Sequence, residues 1–297
     1  MLSICIPIYN FNVTKLVQEL SSQGEALVIP FEILCLDDCS SPEWIAQNES
    51  ISNFKGVNYQ QLSTNYGRSA IRNLLSKEAT FDYQIFMDCD AEVPNKDYLA
   101  KYWNQRDIAP VIFGGRSYST SPPNKPEKVL RWTFGKNREV VPATKRNQKP
   151  YRYFMTNNFL VKREVITKVP FEESIVGYGH EDTMFAQDLK KHNIKINHID
   201  NPLIHIGLED TTEFITKTEN GVKNLSKLIK RNKIDNDNRL FATYKKLKQF
   251  GLLPLVSFYL SVRLKNIKAN LTSKTPNLFY FDLYKLHLLI NAMKNDV

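Results

Sequence analysis

The sequence predicts an α/β architecture: a Rossmann-like, mainly parallel central sheet flanked by helices, followed by a helical C-terminal extension. Three observations predict it. Strand-type apolar runs alternate with helix-patterned segments over roughly the first 90 residues, these runs end in carboxylates, and both charge and hydrophobic period change past residue 210. Strand, helix and strand in repeated order imply right-handed crossovers and parallel neighbours, with ligands taken up at the carboxyl ends of the strands.

Each element has its own signal. LSICIPIY (2–9) and FEILCLDD (31–38) are β-type runs, and TKLVQELSSQ (14–23) between them carries Leu16, Val17 and Leu20 at helical spacing. GVNYQQL (56–62) is a third strand. It leads into TNYGRSAIRNLLSKEA (64–79), where Ala70, Ile71, Leu74 and Leu75 make a helix face, and YQIFMD (83–88) is the fourth strand. Asp37 and Asp38 end the second strand, and Asp88 and Asp90 the fourth, so two acidic clusters are expected to face one crevice. The stretch from Ser117 to Tyr153, rich in Pro and Lys around RWTFGK, reads as a long loop that orders as a lid over the site.

Composition narrows the class. At 297 residues with 42% hydrophobic and 24% charged residues the chain can bury a full core. MLSICIPIYN lacks a basic start and a cleavage site, so no signal peptide is expected, and GLLPLVSFYLSV (251–262) is shorter than the roughly 18 residues a spanning helix needs. Cys5, Cys35, Cys39 and Cys89 show no zinc spacing and read as reduced, buried residues of a cytoplasmic protein.

Charge is unevenly placed. Of the formal +9, residues 211–297 carry 16 Lys and Arg against 6 Asp and Glu, a net of +10 that leaves −1 for residues 1–210. A near-neutral body with a basic tail favours an anionic surface over nucleic acid, for which no recognition motif is present. Within the tail, Leu253, Val256, Leu260, Leu264, Ile267 and Leu271 step at three or four residues, a face that either packs on its own protein or lies against anionic lipid.

Asp88 and Asp90 raise the question of chemistry. On an extended chain residues i and i+2 project to one side, so the carboxylates are expected close together, with a cation between them or a proton on one. A divalent ion bridging them to a phosphate is the functional answer; an ordinary loop start rich in Asp is the other.

PIYN (7–10), LDDCS (36–40), NYGRSAIRN (65–73), MDCDAEV (87–93) and GYGHED (177–182) occur in the order and at about the spacing of family-2 glycosyltransferases, and residues 1–215 resemble that family. The resemblance implies a GT-A fold over 1–215, with 216–297 as a basic helical extension. It also implies an inverting reaction with a nucleotide-sugar donor, UDP being favoured. The acceptor expected is a glycan or a lipid-linked oligosaccharide, the latter because a membrane-bound acceptor would explain the basic tail. The cofactor implied is Mn²⁺ or Mg²⁺.

Residues follow from the matched motifs. Pro7, Tyr9 and Asn10 end the first strand, where Tyr9 offers a ring face to a pyrimidine and Asp38, or Asp37, an acceptor for a uracil N–H; a turn with an Asx cap is the structural alternative. Asn65, Gly67, Arg68 and Arg72 open a helix, where Gly67 permits close backbone approach and the helix start favours anions. Arg72 reaches the pyrophosphate or holds Asp88 or Asp38 in place. For the metal the resemblance implies Asp90, His205 and Asp88. It implies Asp182 as general base with Glu181 orienting the acceptor, although Glu181 and Asp182 also suit an ordinary acidic helix start. Asn157, Asn158, Tyr178 and Gly179 are implied on the acceptor side. The rivals are a sugar-phosphate nucleotidyltransferase, which attacks phosphorus and does not need Asp182, and a non-catalytic nucleotide-sugar-binding module.

Overall fold

The structure is a computed structural model that describes residues 1–174, 179–234 and 238–294. The chain alternates as expected through β1 (Leu2–Ile8), α1 (Thr14–Ala26), β2 (Phe31–Asp37), α2 (Pro42–Asn48), β3 (Val57–Gln61), α3 (Arg68–Glu78) and β4 (Tyr83–Met87). It continues through β5 (Ala91–Glu92), α4 (Tyr98–Gln105), β6 (Val111–Phe113), β7 (Arg116–Ser117), α5 (Val129–Arg138), α6 (Ala143–Arg146), α7 (Pro150–Tyr153), β8 (Asn158–Lys162) and α8 (Arg163–Lys168). After α9 (Glu181–Lys191), β9 (Ile196–His198) and β10 (Leu203–His205), it closes in helices: α10 (Thr211–Lys230), α11 (Arg239–Gln249), α12 (Leu253–Leu271) and α13 (Leu278–Lys294).

Among the described residues, seven strands form the main sheet in the order β3-β2-β1-β4-β8-β6-β9, and of these β8 alone runs antiparallel to its neighbours. Period-two alternation divides the core. On β1 and β4, Leu2, Ile4, Ile6, Ile8, Ile85 and Met87 pack on one face with α1 and α4, while Cys5 and Phe86 pack on the other with α3, α8 and α9. Because β2 and β4 flank β1 on opposite sides, the chain switches direction there, and a crevice opens at the carboxyl ends of β1 and β4. A second, three-stranded sheet, β5-β10-β7, takes its first strand from the segment directly after β4.

Contacts divide the chain into two compact units: residues 1–119, 140–176 and 181–207 in the first, and residues 120–139, 177–180 and 208–297 in the second. The boundary expected between residues 215 and 216 falls inside α10, since a helix hydrogen-bonded from Thr211 to Lys230 cannot be parted midway.

The expected irregular loop needs correction. RWTFGK lies in α5, and α6 and α7 follow, so much of 117–153 is helical. Leu130 and Arg131 are buried in the second unit, Phe134 meets the rings of Phe214 and Phe281, and Arg131 is paired with Glu139 and Glu209. The apolar run was short and broken by Lys and Arg, which hid its period. Cys39 also departs from expectation: it is exposed at a positive φ of 64°, while Cys5 and Cys35 are buried.

In the second unit α13 packs on α10, α11 and α12. Leu260, Ile267 and Leu271, members of the expected apolar face of α12, are wholly buried, so that face packs on its own protein. No helix among the described residues is long and apolar enough to cross a membrane.

Candidate active site

The two aspartates after β4 take different partners. The strand ends at Met87 and the chain turns at Cys89 and Asp90, so the i, i+2 rule for an extended chain does not apply to Asp88 and Asp90. Asp88 Oδ1 accepts from Arg72 Nη2 at 2.8 Å. Asp90 Oδ2 meets His205 Nε2 at 2.9 Å, across 115 residues of sequence. The second sheet brings that pair together: Ala91 of β5 stands opposite His205 of β10, and Ile206 N donates to Asp90 O.

A recess of about 160 Å³, counted with the solvent at its mouth, is lined by Asp88, Asp90, Ala91, Arg116, Asn157, Leu203 and His205. Two buried oxygens there, Asp90 Oδ1 and Asn157 Oδ1, have no hydrogen-bond partner among the described residues. Burial pushes the Asp90 carboxyl up, but the hydrogen bond and charge of His205, with Arg116 and Arg68, outweigh it and hold Asp90 well below the usual carboxylate range. Tyr118 meets the His205 ring edge-on at 5.4 Å, and the Arg116 guanidinium lies 5.6 Å from the Tyr118 ring.

A carboxylate also fixes the entrance to α3. Asp38 accepts from the backbone N–H groups of Tyr66 and Gly67 at 2.6 and 2.9 Å, and Asn65 Nδ2 donates to Asp38 O. Gly67 holds φ at 79°, and α3 begins at Arg68, four residues later than the sequence suggested, because this latch keeps residues 64–67 out of the helix. Asp37 is wholly buried and accepts from Ser40 N and the Tyr59 hydroxyl. Asn10, at φ 48°, accepts from Ser41 N through Oδ1 while its own N–H donates to Ser40 Oγ. Tyr9 beside it is exposed and presents its ring.

Arginines join these acids to α9. Arg72, buried, donates to Asp88 and to Arg68 O, and its guanidinium lies over the Phe171 ring at 5.8 Å. Arg68 Nη1 is 3.2 Å from Glu181 Oε1. Burial raises the Glu181 carboxyl, but the positive charges of Arg68 and Arg72 prevail and hold it down. The opposite holds next door. Asp182 is half-buried, and dense surrounding protein and the charge of Glu181 push its carboxyl up to about 7, with Asp88 adding to the rise and Arg72 opposing it.

The family model described as Glycosyl transferase family 2 matches residues 3–169, more than half the chain, and spans the elements that carry Asp38, Arg68, Arg72, Asp88 and Asp90. The chain is a family-2 glycosyltransferase. Chondroitin synthase of Pasteurella multocida is 24% identical over 223 residues, covering 63% of this chain and 23% of that protein, so the chain spans about a quarter of that relative's length. Among solved structures, S. aureus TarS 1–349 has a TM-score of 0.52 at 17% identity, covering 99% of this chain and 90% of its own. A mannosyltransferase from Pyrobaculum calidifontis in complex with GDP-Man and Mn²⁺ has 0.59 at 15%, covering 99% and 87%. Glucosyl-3-phosphoglycerate synthase from Mycobacterium tuberculosis, in complex with Mg²⁺ and UDP, has 0.52 at 14%, covering 75% and 77%. These likenesses establish the GT-A fold.

For a family-2 glycosyltransferase, the placement of the expected residues is informative. The pairing of Arg72 with Asp88 is the structural alternative the sequence left open. Asp88 gives one carboxylate oxygen to that pair and still lines the recess, while among the described residues no group of three or more His, Cys, Asp or Glu is placed to hold a metal. Asp38 has both oxygens engaged by backbone, which makes it first a latch for the loop. Asn158 is corrected as an acceptor contact: it is fully buried, its Oδ1 accepts from the Tyr98 and Tyr102 hydroxyls, and its amide donates to Gly115 O and Asn201 O, which leaves nothing for a sugar. Asn157 lines the recess. Gly179 adopts φ 100°, and Tyr178 lies outside the described residues.

Three residues around the Asp90–His205 pair were not singled out in the sequence: Arg116, Tyr118 and Gly207. A side chain at Gly207 would place its Cβ 2.6 Å from Asp90 Cβ, so only glycine lets the Asp90 carboxylate lie there. The signal was present in GGRSY after β6 and in the glycine that closes NPLIHIG.

Proposed function

We propose that this family-2 enzyme is a metal-dependent, inverting hexosyl- or N-acetylhexosaminyltransferase. It moves a sugar from a nucleotide-sugar, UDP-linked, to a hydroxyl of a glycan or lipid-linked oligosaccharide. The basic C-terminal helices give it peripheral contact with an anionic membrane, at the cytoplasmic face. The observation that carries the reading is the meeting of Asp90 with His205 on a recess that also holds two unpartnered buried oxygens.

That donor set fits a divalent cation. A carboxylate, an imidazole and an amide oxygen suit Mn²⁺ or Mg²⁺, which take one or two carboxylates and leave other positions to phosphate oxygens. Asp90 and His205 would hold the ion, with Asn157 Oδ1 beside them. Such an ion supplies Lewis-acid stabilisation of the charge that develops on a departing nucleoside diphosphate. The structures of the Pyrobaculum mannosyltransferase with GDP-Man and Mn²⁺, and of TarS with UDP-GlcNAc, support a nucleotide-sugar donor.

The chain's own groups divide the remaining work. Tyr9 stacks on the base, the loop latched by Asp38 lines the nucleotide side, and Arg68 neutralises diphosphate charge. Arg72 holds the Asp88 carboxylate in place at the strand end. Asp182 takes the proton of the acceptor hydroxyl as that oxygen attacks the anomeric carbon from the face opposite the leaving group, which inverts configuration. A carboxyl titrating at about 7 is suited to this: it is a stronger base than an ordinary aspartate and still substantially ionised near neutrality.

The test is release of nucleoside diphosphate from a panel of UDP-, GDP- and dTDP-sugars with Mn²⁺. Metal-dependent release from one donor, abolished in Asp90→Ala, is the expected result. Formation of a nucleotide-sugar from a nucleoside triphosphate and a sugar phosphate, with pyrophosphate released and Asp182→Asn fully active, would replace the reading with nucleotidyl transfer.

A further inference from the structure

We propose that a ridge on the outer face of α12, continued into the turn before it, is the element that inserts into an anionic lipid surface. This deepens the peripheral-membrane reading above and rests on it. The face in question is opposite to the one hydrophobic spacing first picks out: Leu260, Ile267 and Leu271 are consumed in packing, whereas Leu255, Phe258, Tyr259 and Val262 stand in solvent at i, i+3, i+4 and i+7. Phe250 and Leu252, in the turn between α11 and α12, add to them. Phe250, Leu255, Phe258 and Val262 are each about two-thirds exposed or more, at 71%, 67%, 70% and 65%. One helix face with four large apolar side chains in a row is an exposed patch that calls for an occupant.

Charge identifies that occupant. From Asn238 to Phe281 the sequence holds eight Lys and Arg (Arg239, Lys245, Lys246, Lys248, Arg263, Lys265, Lys268 and Lys274) and no Asp or Glu. All eight are exposed. Arg263 lies 5.9 Å from the ring of Tyr259, which sets a cation directly on the ridge. A second copy of the chain joined ridge to ridge would set a second Arg263 on the same face and bring together two segments that each hold eight cations and no carboxylate to offset them. An anionic bilayer offers what the surface lacks: negative headgroups for the cations and an acyl boundary for Phe, Leu and Val, with Tyr259 at the headgroup level. At 19 residues with Arg263, Lys265 and Lys268 in its second half, α12 is built to lie on a bilayer and not to cross one.

Co-sedimentation of the full chain with vesicles of phosphatidylcholine alone, or with phosphatidylglycerol added, tests this. The wild type is expected to pellet with the anionic vesicles at low salt. The triple variant Leu255→Ser, Phe258→Ser, Val262→Ser is expected to lose at least about tenfold in binding, with donor hydrolysis in the absence of lipid unchanged. Phe258→Trp gives a second readout: its added fluorescence should be quenched by brominated acyl chains in the anionic vesicles. Binding by the wild type that the triple variant retains, with Phe258→Trp unquenched, would overturn the ridge and leave peripheral contact standing. A wild type that ignores anionic vesicles would sink both readings. A concentration-dependent dimer dissolved by the triple variant would assign the ridge to a second copy and overturn the lipid assignment.

Discussion

Asp182 and Glu181 are adjacent in sequence and opposite in behaviour. Arg68 pairs with Glu181 and holds it ionised, and the resulting negative charge, with burial, keeps a proton on Asp182 up to about pH 7. Turnover should therefore rise with pH and level off above about 7, as the base loses its proton. Asp182→Asn is expected to lower kcat by about 10² to 10⁴ with little change in donor affinity, read by initial rates at saturating donor. Glu181→Gln removes the nearest negative charge and should move the rising limb to lower pH; a limb that stays in place would show that burial alone sets it. The same titration reaches stability. An unfolded aspartate ionises near pH 4, so between about 4 and 7 the native state holds a proton that the unfolded chain has released, and stability must fall across that window. Denaturant melts of the wild type should show this fall, and Asp182→Asn should remove it.

At the scale of elements, the site depends on short pieces of backbone with no freedom to spare. Gly207 lies against Asp90, and Gly67 turns the chain into α3 at a φ that L side chains seldom adopt. Gly207→Ala must displace either the β10 exit or the Asp90 carboxylate. We expect Mn²⁺ affinity, measured by calorimetry, to drop by tenfold or more while the melting temperature changes little, since the displaced groups border the recess. Gly67→Ala has open space for its methyl group but the wrong backbone, and should cost about 1–2 kcal/mol in thermal or denaturant unfolding. Arg72 is a different case. It is buried against Asp88 and Phe171, and Arg72→Ala leaves a carboxylate without its cation, a loss of about 3–5 kcal/mol that equilibrium unfolding would detect.

Across the whole molecule, the candidate site's acids and arginines lie in a sheet-based unit, and the excess positive charge lies in a helical one. The Asp90–His205 hydrogen bond and the Arg72–Asp88 pair are made by the protein itself. Chelation with EDTA is therefore expected to abolish donor turnover while circular dichroism stays unchanged; loss of secondary structure on chelation would contradict it.

Local pattern sufficed for the strand and helix order through β4, for the carboxylates at strand ends and for the basic C-terminal part, because hydrophobic period, turn residues and charge are properties of neighbouring residues. Asp90 and His205 were legible as candidates through their motifs. Their meeting was not, for it depends on β10 pairing with β5 across 115 residues. Nor were the different partners of Asp88 and Asp90, which turn on the strand ending one residue before the first of them, nor the burial of Asn158 beneath two tyrosine hydroxyls. The face of α12 was decided in the same way. Two apolar stripes run along one helix, and which of them is buried depends on where α13 lies, a contact between distant segments that no local spacing encodes.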